Sequence, residues 1–158
     1  MPIRITQARW PEDRTIVEAL FAEYVASLAE DISFQNVDNE LASLPGKYAR
    51  PTGLVLIARD AGEAAGAVAY RMVEPGVCEM KRLYVRPTWR GSGLGRELAN
   101  ELIDDARAQG YRTMLLDTLA SMSAARELYR DLGFVPVAPY YDNPLPGVMY
   151  MALELSDA

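Results

Sequence analysis

Residues 84–98 read Tyr84-Val85-Arg86-Pro87-Thr88-Trp89-Arg90-Gly91-Ser92-Gly93-Leu94-Gly95-Arg96-Glu97-Leu98. A strand end, a loop with Gly at 91, 93 and 95, and the start of an amphipathic helix follow one another here. Such a junction is an anion site by construction. Glycines let backbone N–H groups approach phosphate oxygens, and the helix dipole adds favourable potential. Three kinds of site share that outline. The dinucleotide pattern G-x-G-x-x-G fails, because Arg96 stands where the third Gly is needed and no acidic-tipped second strand follows in a parallel unit. The nucleotide P-loop fails as well, since neither Lys47 nor Lys81 follows a glycine loop of the right length. What remains is Arg90-x-x-Gly93-x-Gly95, the spacing of a pyrophosphate cradle.

Downstream of the loop, Leu94, Leu98, Leu102, Ile103 and Ala106 make the apolar side of a helix that Gly110 ends. Glu97, Asn100, Glu101 and Asp104 make its wet side. Residues 112–117 read as a buried strand, 122–132 as a helix closed by Gly133, and 134–138 and 148–155 as strands. Upstream, the run 77–86 does not alternate cleanly: Glu79, Lys81 and Arg82 sit beside Met80, Leu83, Tyr84 and Val85. A bulge that switches the inward face midway accounts for the pattern. Residues 54–59 and 64–73 flank the turn signal Asp60-Ala61-Gly62-Glu63 and read as a hairpin. Residues 3–8 make a first strand. Ile16, Val17, Leu20, Phe21, Tyr24, Val25 and Leu28 predict a helix over 11–30, with Pro11, Glu12 and Asp13 as its start. A short helix over 37–44 precedes the breakers Pro45-Gly46 and Pro51-Thr52-Gly53. The order predicts an α/β (α+β) fold: one domain over 1–158, with a mixed, mostly antiparallel sheet of about six or seven strands flanked by about four helices.

The 158 residues are 50% hydrophobic and 24% charged, a balance that suits one globular domain and excludes disorder or a disulfide scaffold. One cysteine, Cys78, permits no internal disulfide and suits a reducing compartment. The opening residues carry no apolar leader, and no apolar run approaches the ~20 residues of a membrane helix, so the expectation is a cytoplasmic protein without a membrane partner. Without histidine, Ser–His–Asp, Cys–His and His-ligated metal sites are excluded. A lone Cys makes no thiolate cage, so no metal is expected. The net charge is −6, and an acidic chain without a basic stripe is a poor nucleic-acid binder.

Two motifs now stand in order: Arg90–Gly95, and Leu128-Tyr129-Arg130-Asp131-Leu132-Gly133-Phe134 at the end of the last helix. One amphipathic helix and one buried strand separate them. In this the chain resembles the GNAT superfamily of N-acetyltransferases over most of its length. The resemblance implies a sheet whose fourth and fifth strands splay apart, with the pantetheine arm of coenzyme A in the gap. It implies cofactor contacts at Leu83, Tyr84 and Val85, and a pyrophosphate cradle at Arg90, Gly91, Ser92, Gly93, Leu94, Gly95 and Arg96. Acetyl-CoA would be the co-substrate, and a primary amine, most simply a small molecule, would attack it directly in a ternary complex. Two alternatives stay open: a CoA-binding sensor without turnover, and an enzyme acetylating peptides or proteins.

Acetyl transfer needs a neutral amine, a polarised thioester carbonyl, and a proton for the departing thiolate. The backbone N–H of Leu83 is the candidate carbonyl donor. Tyr129 is the candidate acid by resemblance; its other reading is a core aromatic sharing a helical face with Met122 and Ala125. Glu79 is the candidate base, expected with a raised pKa in a partly apolar cleft. Its other readings are a salt bridge to Lys81 or Arg82, an exposed position, or replacement by ordered water. The family often has Asn where this chain has Met122, and Ser121 or Ser123 offers a substitute hydroxyl. Cys78 lacks an activating partner and reads as a small buried residue. Residues 12–40 hold Glu12, Asp13, Glu18, Glu23, Glu30, Asp31, Asp38 and Glu40 against Arg14 alone, which would favour a cationic acceptor or be a solvated face. Tyr140 and Tyr141, in a proline-braced loop, frame the acceptor or pack on the second copy of a homodimer, with Phe34-Gln35-Asn36 opposite.

Overall fold

The computed structural model describes residues 3–32 and 35–156; Phe34 lies outside them. Its strands are β1 (Ile3–Gln7), β2 (Leu54–Asp60), β3 (Glu63–Glu74), β4 (Val77–Val85), β5 (Thr113–Thr118), β6 (Val135–Val137) and β7 (Met149–Glu154). Its helices are α1 (Arg14–Ser27), α2 (Val37–Ala42), α3 (Leu94–Ala108) and α4 (Ser123–Asp131). The seven strands form one sheet in the order β1-β2-β3-β4-β5-β7-β6. Every neighbouring pair is antiparallel except β4 and β5.

The centre of this sheet is buried on both faces, which is why β2 reads as an unbroken apolar run. Leu54, Leu56 and Ala58 point to one face and pack with Leu98, Leu102 and Ala106 of α3. Val55 and Ile57 point to the other and pack with Val17, Leu20 and Phe21 of α1. Period two along the strand and period three-to-four along each helix thus meet in two core layers. Helix α1 begins three residues later than the pattern predicts. Asp13 is buried, and its carboxylate accepts from the Arg9 N–H at 2.8 Å and from Arg59 at 2.8 Å, so residues 11–13 form a braced turn ahead of the helix.

The irregular β4 contains the expected bulge. Ala67 of β3 faces Tyr84, whereas Ala69 faces Lys81, so β4 carries one extra residue between them. Arg82 sits there with φ of +61°. The bulge turns its guanidinium into the α1 and α2 layer, where it pairs with Glu40 at 3.1 Å and lies 5.9 Å from the Tyr24 ring. Residues on the two sides of the bulge therefore serve different surfaces.

Candidate active site

Strand β4 pairs with β5 only through Val77–Glu79 against residues 113–115. Beyond Glu79 the strands part, and residues 80–85 have no ladder partners on β5. Three cavities follow one another along this splay. An outer cleft of about 490 Å³ is walled by Leu83, Tyr84, Val85, Gly95 and the start of α4. A narrow middle cavity of about 30 Å³ shares Tyr24, Leu28, Leu83 and Met122 with it and adds Asp117 and Tyr129. An inner cavity of about 330 Å³ shares Gln35 and Lys81 with the middle one and is lined by Arg71, Glu79, Tyr140, Tyr141 and Asp142.

The glycine loop opens onto the outer cleft. Gly93 caps α3 with φ of +87°, and Gly91 has φ of +80°, backbone that strongly favours glycine. Gly95 is different. It is helical, and a Cβ there would meet only Leu128 and Val85 at 3.9 Å, an ordinary contact. Nothing inside the chain requires glycine at 95, so its bareness leaves room for something lying on the helix start. The first main-chain bond of α3 runs from Glu97 N–H to the Gly93 carbonyl, leaving the preceding N–H groups available at a positive dipole end. Among the candidate residues, Leu94 is buried in the core and can offer only its backbone. Ser92 donates to the Trp89 carbonyl at 2.6 Å, and the Arg96 side chain reaches Asp131 at 3.2 Å, so both also serve through the main chain. Arg90 is exposed, donates to the Val85 carbonyl at 2.9 Å and lies 5.7 Å from the Tyr84 ring, at the cleft mouth. This donor set, backbone N–H groups with one exposed guanidinium, fits a pyrophosphate.

At the start of α4, the Ser121 N–H and hydroxyl both donate to Glu30. The hydroxyl at 121 is thus committed, and the Met122 sulfur accepts from the Leu119 N–H. Ser123 remains exposed on the cleft wall.

Tyr129 is 5% exposed, stacks edge-on against Phe134 at 5.7 Å, and still lines the middle cavity. It is at once a core aromatic and a cavity residue. Burial pushes its phenol well above the usual tyrosine range, with Tyr24 and Asp117 adding to the effect. It therefore keeps its proton at neutral pH, the state a general acid needs before the step.

Glu79 is 2% exposed, and its carboxylate accepts from Arg71 Nε at 3.0 Å and from the Tyr140 hydroxyl at 2.6 Å. Arg71 stands directly opposite Glu79 in the β3–β4 register. The cation that pairs with Glu79 thus comes from the neighbouring strand, not from Lys81 or Arg82. The expected upward pKa is also corrected. Burial alone would raise it, but Lys81, the Tyr140 hydroxyl and Arg71 together hold it below the ordinary carboxylate range. Cys78 is buried, and burial pushes its thiol up to about 12, as an inert core residue requires.

Part of the acidic excess of residues 12–40 is neutralised within the chain, three of the eight acids being ion-paired among the described residues. Asp13 pairs with Arg59, Glu23 with Arg86, and Glu40 with Arg82 and Lys47, while Glu30 holds Ser121. Glu12, Glu18 and Asp38 are exposed. Tyr140 and Tyr141 turn inward: Tyr141 donates to Asp117, Asn143 donates to the Tyr141 hydroxyl at 3.0 Å, and the two rings stack edge-on with Tyr150. The loop is thus a wall of the inner cavity.

Four residues of the site were not singled out by sequence: Tyr24, Arg71, Asp117 and, as a cavity residue, Lys81. Asp117 carried a signal, since a carboxylate near the end of an otherwise apolar strand calls for a partner. Tyr24 and Arg71 had none, because each reads as an ordinary member of its element.

The model of the acetyltransferase (GNAT) family matches residues 14–134. An uncharacterised N-acetyltransferase of Schizosaccharomyces pombe is 46% identical over 156 residues, spanning 98% of this chain and 96% of the relative. Among solved structures, a Klebsiella pneumoniae chain provisionally named an acyl-CoA N-acyltransferase is 29% identical, with a TM-score of 0.75 and 98% of each chain covered. A Salmonella typhimurium structure determined with its cofactor acetyl-CoA has a TM-score of 0.78 at 22% identity, covering 100% of this chain and 96% of that one. The splayed sheet, the glycine loop opening onto it and these likenesses agree, and the chain belongs to the acetyltransferase (GNAT) family.

Proposed function

We propose that this acetyltransferase carries acetyl from acetyl-CoA to a primary amine, most simply that of a small molecule, by direct attack in a ternary complex. The observation that carries the reading is the bare helix start at Gly95, which opens onto a cleft long enough to reach the splay. The free N–H groups at the start of α3 and Arg90 would hold the pyrophosphate, and the unpaired β4 edge at Leu83–Val85 would hold the arm. The likeness to the acetyl-CoA-bound Salmonella structure supports that placement. Bound there, the cofactor supplies the activated acetyl group. The Leu83 N–H then polarises the carbonyl, and Tyr129 gives a proton to the departing sulfur. Glu79, ionised and pinned, orients the acceptor side and takes the proton from the amine directly or through water. We place this activity in the cytoplasm, on the single buried cysteine.

Calorimetric titration with acetyl-CoA, followed by thiol release across an amine panel, tests the reading. Micromolar binding with release of free CoA is expected. Binding without release for any amine would make the chain a sensor, and peptide acceptors surpassing every small amine would make it a protein acetyltransferase.

A further inference from the structure

The inner cavity is lined by charge that the acetyl-transfer chemistry does not use up. Each carboxylate near it except one is already engaged. Glu79 is held by Arg71 and Tyr140, Asp117 accepts from Tyr141, and Glu40 binds Arg82 and Lys47. Asp142 is exposed at the rim. Lys81 lines both the middle and inner cavities, and among the described residues no carboxylate lies within 4.0 Å of its ammonium. Among the described residues its one hydrogen bond is a long one, 3.4 Å, to the Gln35 side-chain oxygen, which already accepts from Arg82 at 3.1 Å. An ammonium has three donors to satisfy, and burying it with them unmet is costly. Arg71 adds capacity, since it spends Nε on Glu79 and Nη1 on the Met72 carbonyl at 3.4 Å.

We propose that the acceptor amine carries a carboxylate, bound at Lys81 with Arg71 beside it. This rests on the acetyl-CoA reading above and specifies its acceptor as an amino acid or a similar amino carboxylate. A plain cationic amine would meet an ammonium that has no carboxylate in ion-pair contact; an amino carboxylate supplies that contact and leaves its amine free to face the splay. Lys81 lines the middle and inner cavities but not the outer cleft, which sets the bound carboxylate on the acceptor side of the splay. Burial holds the Lys81 ammonium below its usual pKa, with Glu79 acting against that effect. A bound carboxylate restores the charged form.

The test uses the full chain, wild type and Lys81→Met, each titrated first with acetyl-CoA. Equal affinity within about twofold shows that the fold and the cradle are intact in the variant. Thiol release is then measured with α-amino acids bearing neutral, acidic and basic side chains, each against its own carboxamide, and with simple alkylamines. Wild type should prefer the best acid over its amide by on the order of 100-fold in kcat/KM, the scale of a buried charge contact. Lys81→Met should bring that ratio close to one, and Lys81→Gln, which keeps a donor but no charge, should narrow it nearly as far. Amides or alkylamines matching the acids in wild type would overturn the proposal, as would an unchanged ratio in Lys81→Met. A Lys81-dependent preference for succinyl-CoA over acetyl-CoA would assign the cation to the donor instead and overturn it too. Acetyl-CoA binding with no acid acetylated would overturn it while leaving the cofactor reading intact. Absence of acetyl-CoA binding in folded wild type would remove the cofactor reading, and this inference with it.

Discussion

The two ends of the splay are built from different materials. The outer cleft is walled largely by small or apolar residues, among them Leu83, Val85, Gly95, Ala124, Ala125 and Leu128, and the glycine loop reaches it at Arg90 and Gly95. The inner cavity is walled by charged and aromatic side chains, Arg71, Glu79, Lys81, Tyr140, Tyr141 and Asp142, with Arg71 and Tyr140 tied to Glu79 by an ion pair and a hydrogen bond. A backbone-built site reads the features that every CoA ester shares. A side-chain-built site reads one acceptor and can change acceptor without disturbing the cofactor end. The narrow middle cavity between them, where Tyr129 and Leu83 stand, is where the reacting groups would meet.

If that division is right, substitutions at the two ends separate cleanly. The largest effect is expected from Gly93→Asp, which puts a negative charge at the helix start; Asp visits left-handed backbone more readily than most side chains but with strain, so a thermal melt first establishes that the variant folds. Acetyl-CoA affinity should fall by at least about 100-fold in calorimetry, and an affinity within a few-fold of wild type would break the comparison at its outer end. Tyr129→Phe comes next. Its kcat should fall by on the order of 100-fold with cofactor affinity nearly unchanged, because a general acid is worth roughly 10²–10⁴-fold. A kcat within about twofold of wild type would leave Tyr129 a core aromatic only.

Tyr140→Ala sharpens the inner end. It removes a wall and one hydrogen bond to Glu79, so the acceptor KM should rise by about tenfold, a modest contact loss, while the acetyl-CoA KM stays put. An unchanged acceptor KM with an altered oligomer mass would move this loop to a subunit interface. The smallest effect concerns pH. Glu79 is held below its ordinary 4.5, so it is already ionised throughout the assay range. The acidic limb of kcat/KM should therefore follow the acceptor amine's own pKa and keep its position in Glu79→Gln, whatever the drop in rate. A limb that vanishes in Glu79→Gln would show Glu79 titrating as the base. The same depressed pKa stabilises the fold above pH 4.5, and that contribution is lost as pH falls through the folded value. Wild type should accordingly lose more thermal stability than Glu79→Gln below that point.

The same contrast explains what the sequence disclosed. Backbone-built features leave local marks: glycine spacing at 91, 93 and 95, helical periodicity in α3, and the broken alternation at 79–85 that announced the bulge at Arg82. The element order and both motifs were therefore legible. The inner cavity joins Gln35, Arg71, Glu79 and residues 140–142, which meet only through the sheet register and the loop after β6. No local pattern reports that Arg71 stands opposite Glu79, so Lys81 or Arg82 was the nearer choice along the chain. The bulge then sent Arg82 to the other face, and Lys81, Tyr140 and Arg71 together reversed the expected direction of the Glu79 pKa. Likewise, acids clustered in residues 12–40 look unpaired along the chain because Arg59, Arg82 and Arg86 arrive from strands and loops far away.

The most direct test of the cofactor placement is Gly95→Ala, measured by acetyl-CoA calorimetry and thermal melting together. The added methyl meets only ordinary contacts at 3.9 Å inside the chain. Alanine also favours the helix by up to about 1 kcal/mol over glycine, so the melting temperature should hold or rise. Acetyl-CoA affinity should nevertheless fall at least about tenfold, because the methyl occupies space a bound pyrophosphate needs. Stability retained with affinity lost is the predicted result; affinity retained in the folded variant would contradict the cradle at the start of α3.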